Sequence, residues 1–236
     1  KLLGKKVIYD IHENNSASII SKPYLKNKLT KYLLSKIINF LEKFCVRFFD
    51  AIVTARPDIS EKFNHRKLIT LRNFPILENS TNNKELHIKN SKRSVIYVGG
   101  MSKIRGIEVL IDAFNEMPEY NLLLLGPIKE HVIKNKIQLS NTNVKYLGTV
   151  EPFEVFKHIN EADIGIVTFL AVPNHVKTLA TKPFEYMACG KPMIMSNFNY
   201  WKDTFRESSL YVNPLIKSEI INVTRKLMND DELYNN

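Results

Sequence analysis

The 236-residue chain has only two cysteines, Cys45 and Cys189, and they match no zinc or redox spacing. A disulfide scaffold is therefore excluded. No window reaches the roughly 18 unbroken apolar residues that a membrane-spanning helix needs. The first residues, Lys1 to Asp10, carry no signal-peptide h-region or cleavage site. There is no Walker A sequence and no GxGxxG, so NTPase and nicotinamide-binding readings are poor. No internal repeat is evident. With 44% apolar and 25% charged residues, the composition is that of a globular protein of one large domain or two modest ones. The expectation is a reduced, cytosolic-type protein.

Acidic residues are scarce in the first third. Residues 1–75 carry 15 Lys/Arg against 6 Asp/Glu, and residues 76–236 carry 19 against 18. The excess concentrates on Lys22 to Arg47. From Pro23 to Lys36, lysines and aromatic residues surround an apolar stripe. Such a helix either lies on an anionic bilayer, at about 1 kcal/mol per well-placed cation, or packs its apolar side on its own sheet and leaves the lysines solvated. A nucleic-acid partner is disfavoured, because no recognition motif is present and the rest of the chain is near neutral.

Short β-branched runs alternate with amphipathic stretches, the pattern of an α/β protein with parallel strands. In the first part, strands are expected at Val7–Asp10, Ala51–Thr54 and Leu68–Leu71. A polar loop spans Ile11–Ser21, a long helix runs from near Pro23 to about Phe49, and a short helix covers Asp58–Phe63. Residues 78–92 are polar and aperiodic, as in a linker. Beyond them, strands are expected at Ser94–Val98, Asn121–Leu125, Val144–Tyr146, Ile164–Val167, Met193–Met195 and Leu210–Val212. The helices expected there are Ile107–Asn115, Lys129–Leu139, Pro152–Ile159, Lys182–Ala188 and Lys217–Met228. The second unit reads as complete. The first does not, so the chain is expected to lack an N-terminal portion.

Two stretches carry chemistry. In Thr181–Pro192, Thr181 is a candidate N-cap, Pro183 suits a first turn, and Gly190 with Pro192 stops the helix. The helix start and Lys182 suit a phosphate, and Glu185 could accept from a ribose diol. The competing reading is a capped helix with Lys182 and Glu185 as a solvated pair. In Val98–Gly106, a strand enters the Gly99-Gly100 turn, where a ligand can approach backbone, and Arg105 can fork onto a diphosphate. Its competing reading is a tight turn with a surface arginine. His12, just past a strand end, suits proton or hydroxyl chemistry or merely bonds backbone.

Together these motifs resemble a retaining, nucleotide-sugar-dependent glycosyltransferase of the GT-B fold, family 4. The resemblance runs from about Val7 to Leu233. Its anchors are Tyr9–Glu13, Ala51–Thr54, Arg72–Pro75, Tyr97–Gly100, Leu124–Gly126, Tyr146–Gly148, Glu161–Gly165 and, most specific of all, Lys182–Pro192. It implies two Rossmann-like domains: an incomplete acceptor-side domain at 1–76, a linker at 77–93 and a donor domain at 94–236.

By position, Arg105 and Lys182 match the family's diphosphate-binding cations, and Glu185 matches its ribose carboxylate. Gly99 and Gly100 match the turn beneath the phosphates, and Thr149 and Val150 fall near the base. His175 is expected by the sugar, and His12 is the expected catalytic residue across the cleft. Many relatives carry arginine where Gly100 stands, and glutamate where Lys177 stands. The surroundings of Lys177 resemble enzymes that make bacterial surface polysaccharides.

The resemblance also implies retention of configuration and no obligatory metal or cofactor. The donor would be a sugar on a UDP- or GDP-type nucleotide, and the acceptor a glycan or lipid-linked glycan. The expected place is the cytoplasm, peripheral on the inner face of the membrane through residues 22–47. The alternative is a nucleotide-binding module that transfers nothing.

Overall fold

The structure, a computed structural model, describes residues 4–20, 22, 24–72, 74–75 and 93–235. Pro23, Asn73 and residues 77–92 of the expected linker lie outside the described residues. The chain divides into two compact units, residues 1–74 with 171–179, and residues 75–170 with 180–236.

In the first unit, β1 (Ile8–Ile11), β2 (Ala51–Thr54) and β3 (Leu68–Thr70) form a parallel sheet in the order β1-β2-β3. Ile11, Ile52, Val46, Ile59 and Phe63 make its core, with Tyr9, Phe49 and Leu68 packed against it. The helices are α1 (Asn15–Ile20), α2 (Lys28–Val46) and α3 (Pro57–Ser60).

Two expectations for this unit are corrected. The long helix begins at Lys28 rather than near Pro23, because the Asn27 side-chain Oδ1 accepts from the Leu29 amide at 2.8 Å and caps it there. It ends at Val46, and Phe48 and Phe49 lie in turns beyond it. The stretch expected as a polar loop contains α1, whose start is capped by Asn14 accepting from the Ala17 amide at 3.2 Å. A six-residue helix is too short to show a 3.6-residue period, so only the cap could have marked it.

The second unit holds six parallel strands in the order β6-β5-β4-β7-β8-β9. They are β4 (Ser94–Val98), β5 (Asn121–Leu125), β6 (Val144–Gly148), β7 (Ile164–Val167), β8 (Met193–Ser196) and β9 (Leu210–Val212). All side chains of β4, β7 and β8 are buried, as expected of central parallel strands covered on both faces. The helices are α4 (Ile107–Asn115), α5 (His131–Gln138), α6 (Val155–Glu161), α7 (Lys182–Ala188), α8 (Asn199–Phe205), α9 (Lys217–Asn229) and α10 (Asp231–Asn235). On α4, Ile107, Leu110, Ile111 and Phe114 recur at helical spacing and are all fully buried.

The expectation for α5 and α6 placed their starts a few residues early, and α8 was not anticipated. That short helix exists to bury Trp201, whose ring lies 4.8 Å from Phe198 and 5.7 Å from Phe169 between centroids.

Strand order decides where a ligand can go. β4 leads outward through β5 to β6, and the chain then returns to β7 on the other side of β4. The direction of winding reverses between β4 and β7. In open α/β sheets, ligands bind outside the carboxyl ends of the strands at such a switch point.

Candidate functional site

The loops that leave β4 and β7 carry most of the residues singled out in the sequence. After β4, the turn is held to its neighbour: the Gly99 amide donates to Leu125 O at 2.8 Å and the Met101 amide to Pro127 O at 2.8 Å. The buried Tyr97 hydroxyl donates to Gly100 O at 3.0 Å. Burial raises the Tyr97 pKa, and the nearby Arg105 opposes that rise.

Gly106 then takes φ 73°, and a Cβ there would stand 2.0 Å from Thr168 O, so only glycine fits. This closure sets the half-buried Arg105 at the switch point. Its guanidinium lies 4.8 Å from the Phe169 ring centroid, a cation–π contact.

Helix α7 is anchored to the sheet by one side chain. The Tyr186 hydroxyl donates to Ile96 O at 3.2 Å and accepts from the Val98 amide at 3.1 Å. Its ring is fully buried and fills the space above Gly165, where a Cβ would meet the ring at 2.3 Å. Burial holds the Tyr186 pKa well above its ordinary value.

The anchor presents Lys182 and Glu185 on the first turn, and they are bonded to each other. Lys182 Nζ lies 2.7 Å and 2.6 Å from the two Glu185 oxygens, with side chains 26% and 13% exposed. Thr181 does not cap this helix with its side chain, contrary to expectation. It is itself in helical conformation, and its carbonyl accepts from the Phe184 and Glu185 amides. A residue already in the α region cannot turn its hydroxyl back as an N-cap does.

The other positions fall as follows. Thr149 is exposed and Val150 half-buried in the loop after β6, the outer strand of the sheet. His175 is 8% exposed and lies in the loop that leaves β7, within residues 171–179, which group with the first unit. His12 also belongs to the first unit. It is exposed and follows β1, its Nε2 lying 3.0 Å from Asp10 Oδ2.

The loop that carries His12 is tied down by Lys62, whose Nζ donates to Asn14 at 3.0 Å, Ser16 at 3.2 Å and Glu42 at 3.1 Å. Among the described residues, no group of three or more His, Cys, Asp or Glu is placed to hold a metal ion.

Sequence reasoning missed Lys129. It follows β5, and its aliphatic stem runs past Gly100: a Cβ on that glycine would stand 3.3 Å from Lys129 Cε. The signal available was a Gly-Pro pair, Gly126-Pro127, ending a strand next to the one that ends in Gly99-Gly100. Only the pairing of β4 with β5 brings the two together. A separate cavity of about 310 Å³ lies at the opposite end of the sheet, by the starts of β8 and β9, with Met187, Lys191, Met193 and Tyr234 in its walls.

Comparison with known proteins bears on this geometry. The Bacillus subtilis (strain 168) protein that bears the name teichuronic acid biosynthesis glycosyltransferase TuaH is 22% identical over 204 residues, 81% of this chain and 50% of that protein. An uncharacterized glycosyltransferase of Methanocaldococcus jannaschii, MJ1178, is 25% identical over 159 residues, 63% of this chain and 42% of its own length. The chain thus spans half or less of the curated relatives it matches.

Among solved structures, HepE of Anabaena in complex with UDP-glucose is similar at TM-score 0.70 and 15% identity, over 98% of this chain and 66% of that one. Sucrose-phosphate synthase from Thermosynechococcus elongatus is similar at TM-score 0.69 and 18% identity, over 97% of this chain and 60% of that one. At these identities the likeness is one of fold, and that fold is the GT-B type that the motifs led us to expect. The family described as Glycosyl transferases group 1 matches residues 92–230, more than half the chain and every strand of the six-stranded sheet. With Arg105, Lys182 and Glu185 all inside that match, the chain belongs to the group 1 glycosyl transferases.

Proposed function

We propose that the protein is a retaining glycosyltransferase of family 4, moving a sugar from a nucleotide diphosphate to a glycan or lipid-linked glycan in surface polysaccharide or lipopolysaccharide assembly. The observation that supports this reading is that Arg105 follows β4 while Lys182 and Glu185 begin the helix after β7, the two strands between which the winding of the sheet reverses. UDP is the favoured carrier, since the similar HepE structure is a UDP-glucose complex. The name of TuaH supports the polysaccharide setting.

In this reading, residues 94–236 form the donor domain, 1–76 the acceptor side and 77–93 the linker. The diphosphate lies against Arg105 and Lys182 above the Gly99-Gly100 turn. Glu185 accepts from the ribose, and Thr149 and Val150 flank the base. As the bond from the anomeric carbon to the phosphate oxygen breaks, negative charge grows on the diphosphate and positive charge on the sugar. Preorganised cations lower that barrier. His12 and His175 serve the sugar and the acceptor hydroxyl. No metal or cofactor enters the reaction.

A lipid-linked acceptor calls for a membrane surface, and α2 supports one. Leu33, Ile37, Phe40, Leu41, Phe44 and Phe48 are all exposed, Phe40 by 67%. The ring centroids of Phe40 and Phe44 lie 6.4 Å apart, and those of Phe44 and Phe48 5.3 Å apart. Lys36, Lys43 and Arg47 border this stripe along one side, whereas Lys31 turns toward α1 and donates to Ile20 O at 3.1 Å, and the acid within the helix, Glu42, turns away to Lys62. Exposed apolar side chains bordered by cations fit an anionic bilayer. No described helix is long and apolar enough to cross a membrane. The proposed place is the cytoplasm, peripheral on the inner face of the cell membrane.

Calorimetric titration of UDP, GDP and ADP into the chain tests the donor half of this reading. Selective micromolar binding of UDP is the expected result, and no binding of any nucleotide overturns it. In the full-length protein, His12→Ala should keep the UDP affinity and lower turnover about a hundredfold. Unchanged turnover removes His12 from the chemistry.

A further inference from the structure

We propose that Lys129 is a further cation of the donor diphosphate subsite, set beside Arg105 on the Gly99-Gly100 turn. The inference rests on the donor-binding reading above. Each glycine of the turn has one cation across the place where its side chain would be. A Cβ at Gly99 would stand 3.3 Å from Arg105 Nη1, and one at Gly100 would stand 3.3 Å from Lys129 Cε and 3.5 Å from Lys129 Cγ. The absence of side chains at these positions lets the Arg105 guanidinium lie against one residue and the Lys129 stem against the other.

Backbone bonding fixes this placement. The Met101 amide donates to Pro127 O at 2.8 Å, and the Lys129 amide donates back to Met101 O at 2.9 Å. Met101 and Ile128 form a parallel bridge, so the two strand-end loops run together for several residues beyond the sheet. Lys129 therefore cannot drift from the turn except by side-chain rotation.

Charge points the same way. Lys103, whose amide bonds the Glu130 next to Lys129, pairs with Glu108 at 3.6 Å, and Lys182 pairs with Glu185 at 2.6 Å. Lys129 is exposed and, among the described residues, has no carboxylate partner. The adjacent Glu130 carboxylate accepts instead from the Lys103 amide at 3.2 Å. Holding two cations beside one turn without a counter-ion is unfavourable until a dianion arrives, and a diphosphate supplies that charge.

The test is calorimetric titration of UDP, with uridine measured by competition, on the wild-type chain, Lys129→Ala, Lys129→Arg, Arg105→Ala and Lys134→Ala, an exposed lysine on α5. Lys129→Ala should weaken UDP about tenfold, the loss of one charge-assisted hydrogen bond, and leave uridine unchanged. Lys129→Arg should restore most of the UDP affinity, and Lys134→Ala should behave as wild type. If the wild-type chain binds no UDP, the donor reading itself fails and this inference goes with it. If UDP binds and Arg105→Ala loses it while Lys129→Ala does not, only the inference is overturned. Equal losses for UDP and uridine overturn it too, since they would place Lys129 away from the phosphates.

Discussion

Lys182 and Glu185 form a two-pronged ion pair on the first turn of α7, with Nζ at 2.7 Å and 2.6 Å from the two carboxylate oxygens. The two residues expected to hold different parts of a nucleotide are thus bonded to each other. In the proposed function the diphosphate draws the lysine and the ribose hydroxyls draw the carboxylate, so both compete with this pair.

From this pair follows a ranking of variants. Glu185→Ala should weaken UDP by about tenfold. Lys182→Ala should weaken it more, because the freed carboxylate is left facing the diphosphate. Neither should change the unfolding free energy by more than about 1 kcal/mol, as is usual for a three-residue helical pair. Calorimetry with urea unfolding checks both statements. Wild-type affinity in Glu185→Ala would dispose of the ribose assignment.

Stability should depend far more on the anchor behind the site. Gly165→Ala places a methyl 2.3 Å from the Tyr186 ring and should cost about 1–3 kcal/mol by overpacking. Tyr186→Phe strands the Val98 amide that donates to the hydroxyl and should cost roughly 1–3 kcal/mol. Equilibrium urea unfolding reads both. A neutral Gly165→Ala would mean that α7 can lift from the sheet without penalty.

For α2, sedimentation with lipid vesicles is the deciding measurement. The chain should pellet with phosphatidylglycerol-containing vesicles, less so at high salt, and not with pure phosphatidylcholine. Phe40→Ser with Phe44→Ser should release it. Failure of the wild-type chain to pellet with anionic vesicles would sink the membrane proposal.

The two thiols should label at different rates. Cys45 is exposed, whereas burial pushes the Cys189 thiol up to about 11, with Lys191 lowering it and Glu185 raising it further. The thiolate is the reactive form, so Cys189 should react slowly near pH 8 and faster as pH climbs toward its folded value. Mass spectrometry after iodoacetamide should find one modified cysteine, Cys45, at about pH 8. Equal labelling there would contradict the burial of Cys189.

Much of the strand framework was legible. Ala51–Thr54, Ser94–Val98, Asn121–Leu125, Ile164–Val167 and Leu210–Val212 lie where their apolar runs, bounded by turn residues, placed them. Helices α4 and α7 also match their expected bounds. The failures have two causes. Helices α1 and α8, of six and seven residues, are shorter than the window in which a 3.6-residue period emerges. The start of α2 was set by Asn27, a capping signal outweighed in the reading by a nearby proline.

What the chain determines locally, it declares in its sequence: which segments are strands, that they are parallel, and which motifs carry glycine, cation and carboxylate at ligand-binding spacing. Hydrophobic period, cap and turn chemistry are properties of neighbours in sequence. Tertiary structure alone decided that β4 and β7 would lie side by side, that Lys182 and Glu185 would be bonded to each other, and that Lys129 would cross Gly100. Those relationships depend on register between strands and on which side chains remain without partners after packing, and residues far apart in sequence settle both.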